Sequence, residues 1–239
     1  MAIYGIGDLH LSFGVNKPMN IFGENWANYE KKISENWLSK INEEDVVLLP
    51  GDFSWAMYIR EAKKDFKFID NLPGTKILLK GNHDFWWTTL NKMQEFVEKN
   101  KYKKINFLYN NSVETEEALI VGTRGWYFSE SDNGKKMLNR ELIRLELSIK
   151  DALNKMKKSN QEKKIICIMH YPPITKNIIE KGEKSPYLEM LKKYNIDNCY
   201  YGHLHGQAHE EAVEGTINGV KLKLISSDYI KFDPVKIMQ

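Results

Sequence analysis

The stretch Lys76-Ile-Leu-Leu-Lys-Gly-Asn-His-Asp84 joins a short apolar run to a polar turn. The run Lys76–Leu79 is continuous rather than alternating, which is typical of a strand covered on both faces of a parallel sheet. Gly81 lets the chain turn sharply after this strand, and three polar residues follow it directly. The stretch therefore predicts a buried strand that ends in a group of candidate ligands.

Four other apolar runs end in residues of the same kind. Gly7-Asp8-Leu9-His10 follows the first run, Gly51-Asp52 the second, His170 a later one, and Gly202-His203-Leu204-His205 the last. In open α/β sheets, ligands bind beyond the carboxyl ends of the strands. Five separate strands are therefore predicted to bring metal-type ligands to one edge. The predicted strands are Ile3–Gly7, Val46–Leu49, Lys76–Leu79, Ile105–Tyr109, Ala118–Gly122, Ile165–Met169 and Asn198–Tyr201.

Amphipathic stretches between these runs predict helices, so the chain has the alternating pattern of an α/β protein. Ser185-Pro186 resembles an N-cap followed by proline at the first helical position, and it predicts a helix to about Tyr194. Asn218-Gly219 is a strong hairpin signal near the C-terminus. The predicted helical faces are Trp26 to Ile41, Ile59 to Ile69, Leu90 to Val97 and Leu142 to Met156.

The chain of 239 residues, 42% of them apolar, is long enough for one large domain. We expect a single domain over residues 1–239, with a helical insertion or cap near residues 127–164. The apolar runs are too short to cross a membrane, and nothing marks the chain for export. The two cysteines, Cys167 and Cys199, lie in apolar runs, as is typical of buried thiols. We therefore expect a cytoplasmic protein.

Net charge gives little support to a nucleic-acid binder. Lysine and arginine exceed aspartate and glutamate by only three charges, and no basic stripe is apparent. The charge balance therefore does not argue for DNA or RNA, and no membrane partner is expected.

The ligand set at the strand ends is mixed. It contains two aspartates, one asparagine and four histidines, with His83 left over. Imidazole and carboxylate suit manganese, iron, zinc or nickel, and no thiolate is involved. Asp-x-His and His-x-His would place two side chains on the same side of an extended segment. Seven ligands are too many for one ion and fit two ions that share a bridge.

These motifs, in this order from residue 7 to residue 205, resemble the full motif set of the calcineurin-like metallophosphoesterases. The resemblance implies a four-layer α/β/β/α sandwich with a dinuclear metal centre, for which manganese is the first candidate. It places Asp8, His10 and His205 on the first ion and Asn82, His170 and His203 on the second, with Asp52 bridging both. The second motif continues Phe53-Ser54-Trp55 and the third ends in Asp84, which resembles bacterial phosphoesterases and argues against a protein phosphatase.

Two adjacent cations can clamp the attacking and leaving oxygens of an in-line displacement, and a water that bridges them is expected to act as a hydroxide nucleophile. His83 is the candidate general acid, and Asp84 is expected to orient its ring. Arg124 either holds a phosphate oxygen or forms a salt bridge between loops, and the sequence favours neither. Asp228 is either a support for a ligand or a turn residue.

The leading hypothesis is therefore a dinuclear-metal hydrolase of phosphate esters, acting on a small phosphorylated substrate with a nucleotide among the candidates. The alternative is a scaffold subunit that kept the metal-binding fold without turnover. His83 favours the enzyme, because a scaffold has no need of a general acid. The sequence leaves open whether the ester is a phosphomonoester or a phosphodiester. Aromatic residues crowd the motif loops, and we expect most of them to pack beneath the loops rather than line a pocket.

Overall fold

The computed structural model describes residues 1–128 and 131–239, which form two β-sheets packed face to face. The first sheet has the strand order β11-β1-β2-β3-β4, and the second has the order β5-β6-β7-β8-β10-β9. The strands are β1 (Ile3–Gly5), β2 (Val46–Pro50), β3 (Thr75–Leu79), β4 (Ile105–Leu108), β5 (Val113–Glu114), β6 (Ala118–Thr123), β7 (Lys164–Met169), β8 (Asn198–Tyr201), β9 (Gly215–Ile217), β10 (Val220–Leu224) and β11 (Val235–Met238).

Helices cover the outer faces of both sheets. They are α1 (Tyr29–Lys40), α2 (Lys63–Asp70), α3 (Leu90–Lys99), α4 (Asp132–Ser159), α5 (Lys176–Glu180) and α6 (Pro186–Lys193), with short 3-10 helices at Met19–Phe22, Glu24–Trp26 and Gly206–Glu211. One apolar cluster lies between the sheets, a second lies under α1 to α3, and a third lies under α4 and α6. Three cores between four layers confirm the expected α/β/β/α sandwich.

Both sheets are parallel in their interior, and antiparallel strands lie at one edge of the first sheet and at both edges of the second. Strands β1 to β4 run parallel, as do β6, β7, β8 and β10, whereas β5, β9 and β11 pair antiparallel at the margins. This explains the continuous apolar runs in the sequence, because an interior parallel strand is covered on both faces. The seven predicted strands are all present. The short strands β5 and β11 and the helix α5 were not predicted.

Helix α4 lies within the segment for which an insertion or cap is predicted. Leu145, Ile149 and Ala152 on its inner face are fully buried, and the helix packs against β6. The helix thus contributes to the layer that covers the second sheet. Residues 129 and 130 of the predicted segment lie outside the described part of the chain.

The first sheet also buries one cation in its core. Lys76 in β3 is completely inaccessible to solvent, and its ammonium group donates a hydrogen bond to the carbonyl of Leu72. Its Nζ lies 5.9 Å from the centre of the Trp37 ring. Burial lowers the pKa of Lys76 to about 8, because an apolar environment disfavours the charged form.

We expect Lys76→Met to stabilise the protein at pH 7, by about 1–3 kcal/mol, since it replaces a buried charge by an apolar chain of similar length. The advantage should shrink as the pH rises above 8. There the folded protein releases the Lys76 proton while the unfolded chain still holds it, so the wild type gains stability with pH. Urea unfolding at several pH values measures both effects. Lys104→Met, at a partly exposed lysine, is the control and should change stability by less than about 0.5 kcal/mol. A variant less stable than wild type at pH 7 would contradict the prediction.

Candidate metal centre

All seven predicted ligands lie at one edge of the sandwich, where parallel strands of both sheets end. Asp8 follows β1, Asp52 follows β2, and Asn82 follows β3. His170 follows β7, and His203 follows β8. Backbone hydrogen bonds hold the sheets together here, since Gly7 donates to Ile225 at 2.7 Å and accepts from Ser227 at 3.0 Å. The predicted meeting of strand ends therefore takes place across two sheets rather than along one.

The first group of donor atoms comes from Asp8, His10 and His205. The Nε2 atoms of His10 and His205 lie 3.2 Å apart, and His205 Nε2 lies 3.5 Å from Asp8 Oδ1. Asp8 and His10 are buried, and the His205 side chain is 30% exposed. These three residues form a cluster that could hold a metal ion.

The second group comes from Asn82, His170 and His203. His170 Nε2 lies 2.6 Å from Asn82 Oδ1 and 3.2 Å from His203 Nδ1. His170 is fully buried at the centre of this group. The donors are again imidazole nitrogens with an oxygen, here the neutral amide oxygen of Asn82.

Asp52 lies between the two groups. Its Oδ2 is 3.8 Å from His10 Nε2 in the first group and 3.5 Å from His170 Nε2 in the second. Its Oδ1 accepts a hydrogen bond of 2.8 Å from the backbone amide of His83, which fixes the orientation of the carboxylate. A single oxygen of Asp52 therefore faces nitrogen donors of both groups.

The backbone around these ligands is tightly packed. A Cβ at Gly81 would lie 2.0 Å from Asp52 Oδ1, and one at Gly202 would lie 2.3 Å from Asp8 Oδ2, so neither position has room for a side chain. Asp8, Asp52 and His203 have φ values of 58°, 50° and 76°, in the left-handed region that residues other than glycine seldom adopt. Such strain is typical of functional sites.

The left-handed backbone differs from the extended conformation that we predicted for two of the motifs. We predicted that Asp8-x-His10 and His203-x-His205 present their side chains from extended segments. Asp8, His10 and His203 all have positive φ, so neither segment is extended throughout. The two histidines of the second pair reach different groups, because His203 contacts His170 whereas His205 contacts His10. Local turns, rather than strand alternation, distribute these ligands.

The chemistry of the donor set fits cations. Two pairs of imidazole nitrogens face each other at 3.2 Å, one between His10 and His205 and one between His170 and His203. Each pair can hold a single proton between its nitrogens, or both nitrogens can bind metal. Burial lowers the pKa values of His170 and His203 to about 3, so both rings are neutral and keep a lone pair for a metal. Burial, reinforced by the neighbouring Asp84 and Asp8, raises the pKa of Asp52, because the charged carboxylate is unfavourable there. A bound cation would stabilise the charged form.

Neighbouring groups orient the imidazole ligands through their second nitrogens. His170 Nδ1 lies 3.0 Å from the Pro50 carbonyl oxygen, and His205 Nδ1 lies 2.8 Å from Asp228 Oδ1. His203 Nε2 contacts the Tyr127 hydroxyl. Such partners fix the tautomer and angle of a ligating imidazole. The sequence left open whether Asp228 is a support or a turn residue, and it gave no signal for Pro50, whose carbonyl acts through the backbone.

Asp228 also joins a third group of donors. Its Oδ2 lies 3.2 Å from His209 Nε2, while Oδ1 contacts His205. Burial opposes protonation of His205, but hydrogen bonds to Asp228 and Asp8 outweigh it and raise its pKa to about 10. Because Asp228 is already engaged with both rings, we interpret it as a support for His205.

His83 lies beside both groups but belongs to neither. Its ring centre is 5.9 Å from that of His10 and 4.5 Å from that of Trp55, and the side chain is half-buried. The ring faces a cavity of about 620 Å³ that His10 and His205 also line. Burial, together with the nearby charge of Lys17, lowers the pKa of His83. A side chain in this position can exchange a proton with a substrate in the cavity.

We expected Asp84 to orient the His83 ring, but in the structure its carboxylate has other partners. One of its oxygens accepts hydrogen bonds from the backbone amides of Phe53 and Ser54 and from Trp86 Nε1, and the other accepts from the backbone amide of Gly81. Burial nevertheless raises the pKa of Asp84 to about 6. Asp84 therefore ties the loop after β2 to the loop after β3, which holds Asp52 and Asn82 in register.

Arg124 forms a salt bridge, which is one of the two roles that the sequence left open. Its Nη2 lies 3.7 Å from Oε1 of Glu141 in α4, a fully buried carboxylate that Arg140 and Arg144 also contact. The guanidinium also packs over the Trp126 ring at 4.8 Å. The contacts of the Arg124 side chain therefore link the end of β6 to α4.

The aromatic residues of the motif loops fall into three sets. Four are buried beneath the loops, which is fewer than the majority we expected: Phe53, Trp86, Trp87 and Tyr171. Three others are half-buried: Trp55, Trp126 and Phe128. Phe85 and Tyr127 are instead 54% and 49% exposed. The Phe85 ring lies 6.3 Å from that of His83, and the Tyr127 ring lies 5.4 Å from that of His203.

The comparison with protein families decides what this arrangement is. The family model for calcineurin-like phosphoesterases matches residues 1–207, a range that contains all seven predicted ligands. The chain belongs to this family. It is therefore a metal-dependent phosphoesterase, a hydrolase of ester bonds, and its family binds divalent metals.

Solved structures share the fold at low sequence identity. A protein of unknown function from Aquifex aeolicus is 18% identical with a TM-score of 0.50, and the match covers 98% of this chain and 95% of that one. Phosphopantetheinyl hydrolase from Mycobacterium tuberculosis is 11% identical with a TM-score of 0.50, covering 99% and 95%. A Thermus thermophilus protein is 12% identical with a TM-score of 0.53, covering 92% and 86%. A search of curated proteins finds no match.

No helix in the described part of this phosphoesterase chain is both long enough and apolar enough to cross a membrane.

Proposed function

We propose that this phosphoesterase holds two divalent transition-metal ions and hydrolyses a small phosphorylated substrate. The observation that carries the proposal is the position of Asp52 Oδ2 between two groups of nitrogen and oxygen donors. Asp8, His10 and His205 would hold one ion, and Asn82, His170 and His203 the other. Mixed nitrogen and oxygen donors suit manganese, which we propose first, and also iron, zinc or nickel.

The ligands carry fewer negative charges than two divalent ions carry positive ones. Asp8 and Asp52 bring two negative charges, while Asn82 and the four histidines are neutral ligands when they bind metal. Two divalent ions would therefore leave the centre net positive towards an anionic phosphate. When bound, such ions supply a hydroxide nucleophile at neutral pH and stabilise negative charge on the phosphate oxygens.

The residues of the chain perform the remaining steps. Asp52, fixed by the His83 amide, keeps the two groups at a constant separation. Asp228 and the Pro50 carbonyl hold His205 and His170 in their ligating orientation. The His83 side chain, on the cavity side, donates a proton to the departing alcohol oxygen. We propose a cytoplasmic location, which the free and buried thiols of Cys167 and Cys199 support.

Metal removal tests the proposal. We expect the purified protein to bind about two transition-metal ions per chain and to lose its phosphoesterase activity after chelation. Manganese should restore activity with a stoichiometry of two. The measurements are elemental analysis and the rates of phenyl phosphate and bis(p-nitrophenyl) phosphate hydrolysis before and after chelation. Activity that survives chelation, or a stoichiometry of one at full activity, would contradict the dinuclear proposal.

A further inference from the structure

A cavity of about 620 Å³ opens directly beside the candidate metal centre. Three site histidines, His10, His83 and His205, form its inner end. Its outer walls come from the segment 17–26 and from Trp55 and Phe85. This volume falls within the range of small-molecule pockets, which suits a group of one or two rings.

Four aromatic side chains besides the histidines line the cavity: Phe22, Trp26, Trp55 and Phe85. Trp26 packs edge-on against His10 at 5.9 Å between ring centres, and Trp55 stacks on His10 at 4.9 Å. Two other lining residues, Phe22 and Phe85, are 56% and 54% exposed. Large apolar side chains left exposed around a concave site favour an apolar or aromatic ligand.

One cation, Lys17, adds a polar feature to these walls. Its Nζ lies 4.1 Å from the centre of the Trp55 ring, and the side chain is half-buried. Among the described residues, no carboxylate forms an ion pair with Lys17. The carboxylate that also lines the cavity, Asp228, is engaged with His205 and His209. Lys17 is therefore available to a negatively charged group of a ligand.

We propose that this cavity binds the alcohol part of the ester, and that it selects an aromatic alcohol carrying a second negative charge, which Lys17 recognises. The inference rests on the proposed function, because it takes His83 as the group that protonates the leaving oxygen. A general acid must lie within hydrogen-bond reach of that oxygen, so the alcohol leaves on the His83 side, where the cavity lies. In the reaction, water oxygen bonds to phosphorus, the bond from phosphorus to the alcohol oxygen breaks, and that oxygen takes a proton.

Three phosphate monoesters test the aromatic walls of the cavity and Lys17 separately. Ethyl phosphate has neither ring nor second charge, phenyl phosphate has the ring alone, and 3-carboxyphenyl phosphate has both. We expect kcat/KM of the wild type to rise along this series. Because phenolate is a better leaving group than ethoxide, the contribution of the aromatic walls is taken only from the change in the phenyl-to-ethyl ratio between the wild type and a variant. The two aryl esters have similar leaving groups, and the carboxylate should add about three- to tenfold, the effect of one partly exposed ion pair or charged hydrogen bond. Lys17→Met should bring the ratio of carboxyphenyl to phenyl phosphate close to one. Phe85→Ser should lower the preference of phenyl over ethyl phosphate.

Lys31→Met is the matched control, because Lys31 is an exposed lysine in α1 paired with Glu35. It should leave both substrate ratios at their wild-type values. Binding of the non-hydrolysable phenylphosphonate and 3-carboxyphenylphosphonate, measured by calorimetry, gives a readout that does not depend on turnover. The carboxylated compound should bind more tightly to the wild type, and Lys17→Met should remove the difference.

The outcomes distinguish the two proposals. If the wild type hydrolyses all three esters at similar rates and the Lys17→Met ratio equals the wild-type ratio, the cavity proposal is overturned and the phosphoesterase proposal stands. If none of the esters is hydrolysed at full metal content, the proposed small-ester function fails. The phosphonate titrations then still decide whether Lys17 and the aromatic walls select an anionic ring, and equal affinities for both compounds would overturn that selectivity.

Discussion

Asp52→Asn is expected to lower the affinity for both metal ions and to abolish most of the activity. The change keeps the size of the side chain but removes the negative charge that faces both His10 and His170. Removing one charged partner from a buried ionic cluster costs about 3–5 kcal/mol, which corresponds to a loss of roughly 10²–10⁴-fold in affinity. Elemental analysis and manganese titration measure the loss at each site.

The same substitution should stabilise the metal-free protein. Asp52 is buried beside Asp8 and Asp84, so its charge is costly when no cation is present. The metal-free variant should therefore melt at a higher temperature than the metal-free wild type, while the rise in melting temperature on adding manganese should be smaller. A substitution that merely damaged the fold would lower the melting temperature in both states.

Two other variants make the test specific to the bridge. Asp65→Asn changes another fully buried carboxylate, which accepts hydrogen bonds from Phe13 and Ser54 outside the donor groups, and it should keep both ions. Asn82→Ala removes an oxygen from the second group only, so it should weaken mainly one ion. If Asp52→Asn and Asn82→Ala lower occupancy equally at both sites, Asp52 is not the bridge.

The sequence predicted the architecture well because the signals that encode it are local. A buried parallel strand requires a continuous apolar run, so β2, β3 and β8 were recognisable within one residue at either end. Ser185 caps α6 and Pro186 begins it, as the sequence predicts. The strands β5 and β11 lie at sheet edges, and runs of two and four residues are too short to be recognised as strands from their sequence.

Features that depend on contacts between distant segments could not be predicted. The partners of Asp84 are mostly backbone amides, which carry no residue-type signal, so the sequence suggested the adjacent His83 instead. Arg124 meets Glu141 only because α4 folds back onto β6. The segment 17–26 forms a cavity wall from two short 3-10 helices, and Trp26, which was predicted to belong to the first helical face, lies in one of them ahead of α1.

His83→Ala is expected to keep both metal ions and the fold while lowering kcat by roughly 10²–10⁴ for an alkyl phosphate, the usual contribution of a positioned general acid. The ring belongs to neither group of donors, and the contact between this residue and Asp52 runs through the His83 backbone amide, which alanine retains. Metal content and melting temperature should therefore match the wild type.

The size of the loss should depend on the leaving group. An alkoxide needs a proton as the phosphorus–oxygen bond breaks, whereas nitrophenolate is a stable anion and leaves without one. The variant should therefore retain far more of its rate on p-nitrophenyl phosphate than on ethyl phosphate, and both rates measured on one preparation make the comparison independent of enzyme concentration. A missing metal ion would identify His83 as a ligand. Equal losses on the two esters would mean that the ring binds the phosphate or the nucleophile, and the proton donor would then have to be sought elsewhere around the cavity.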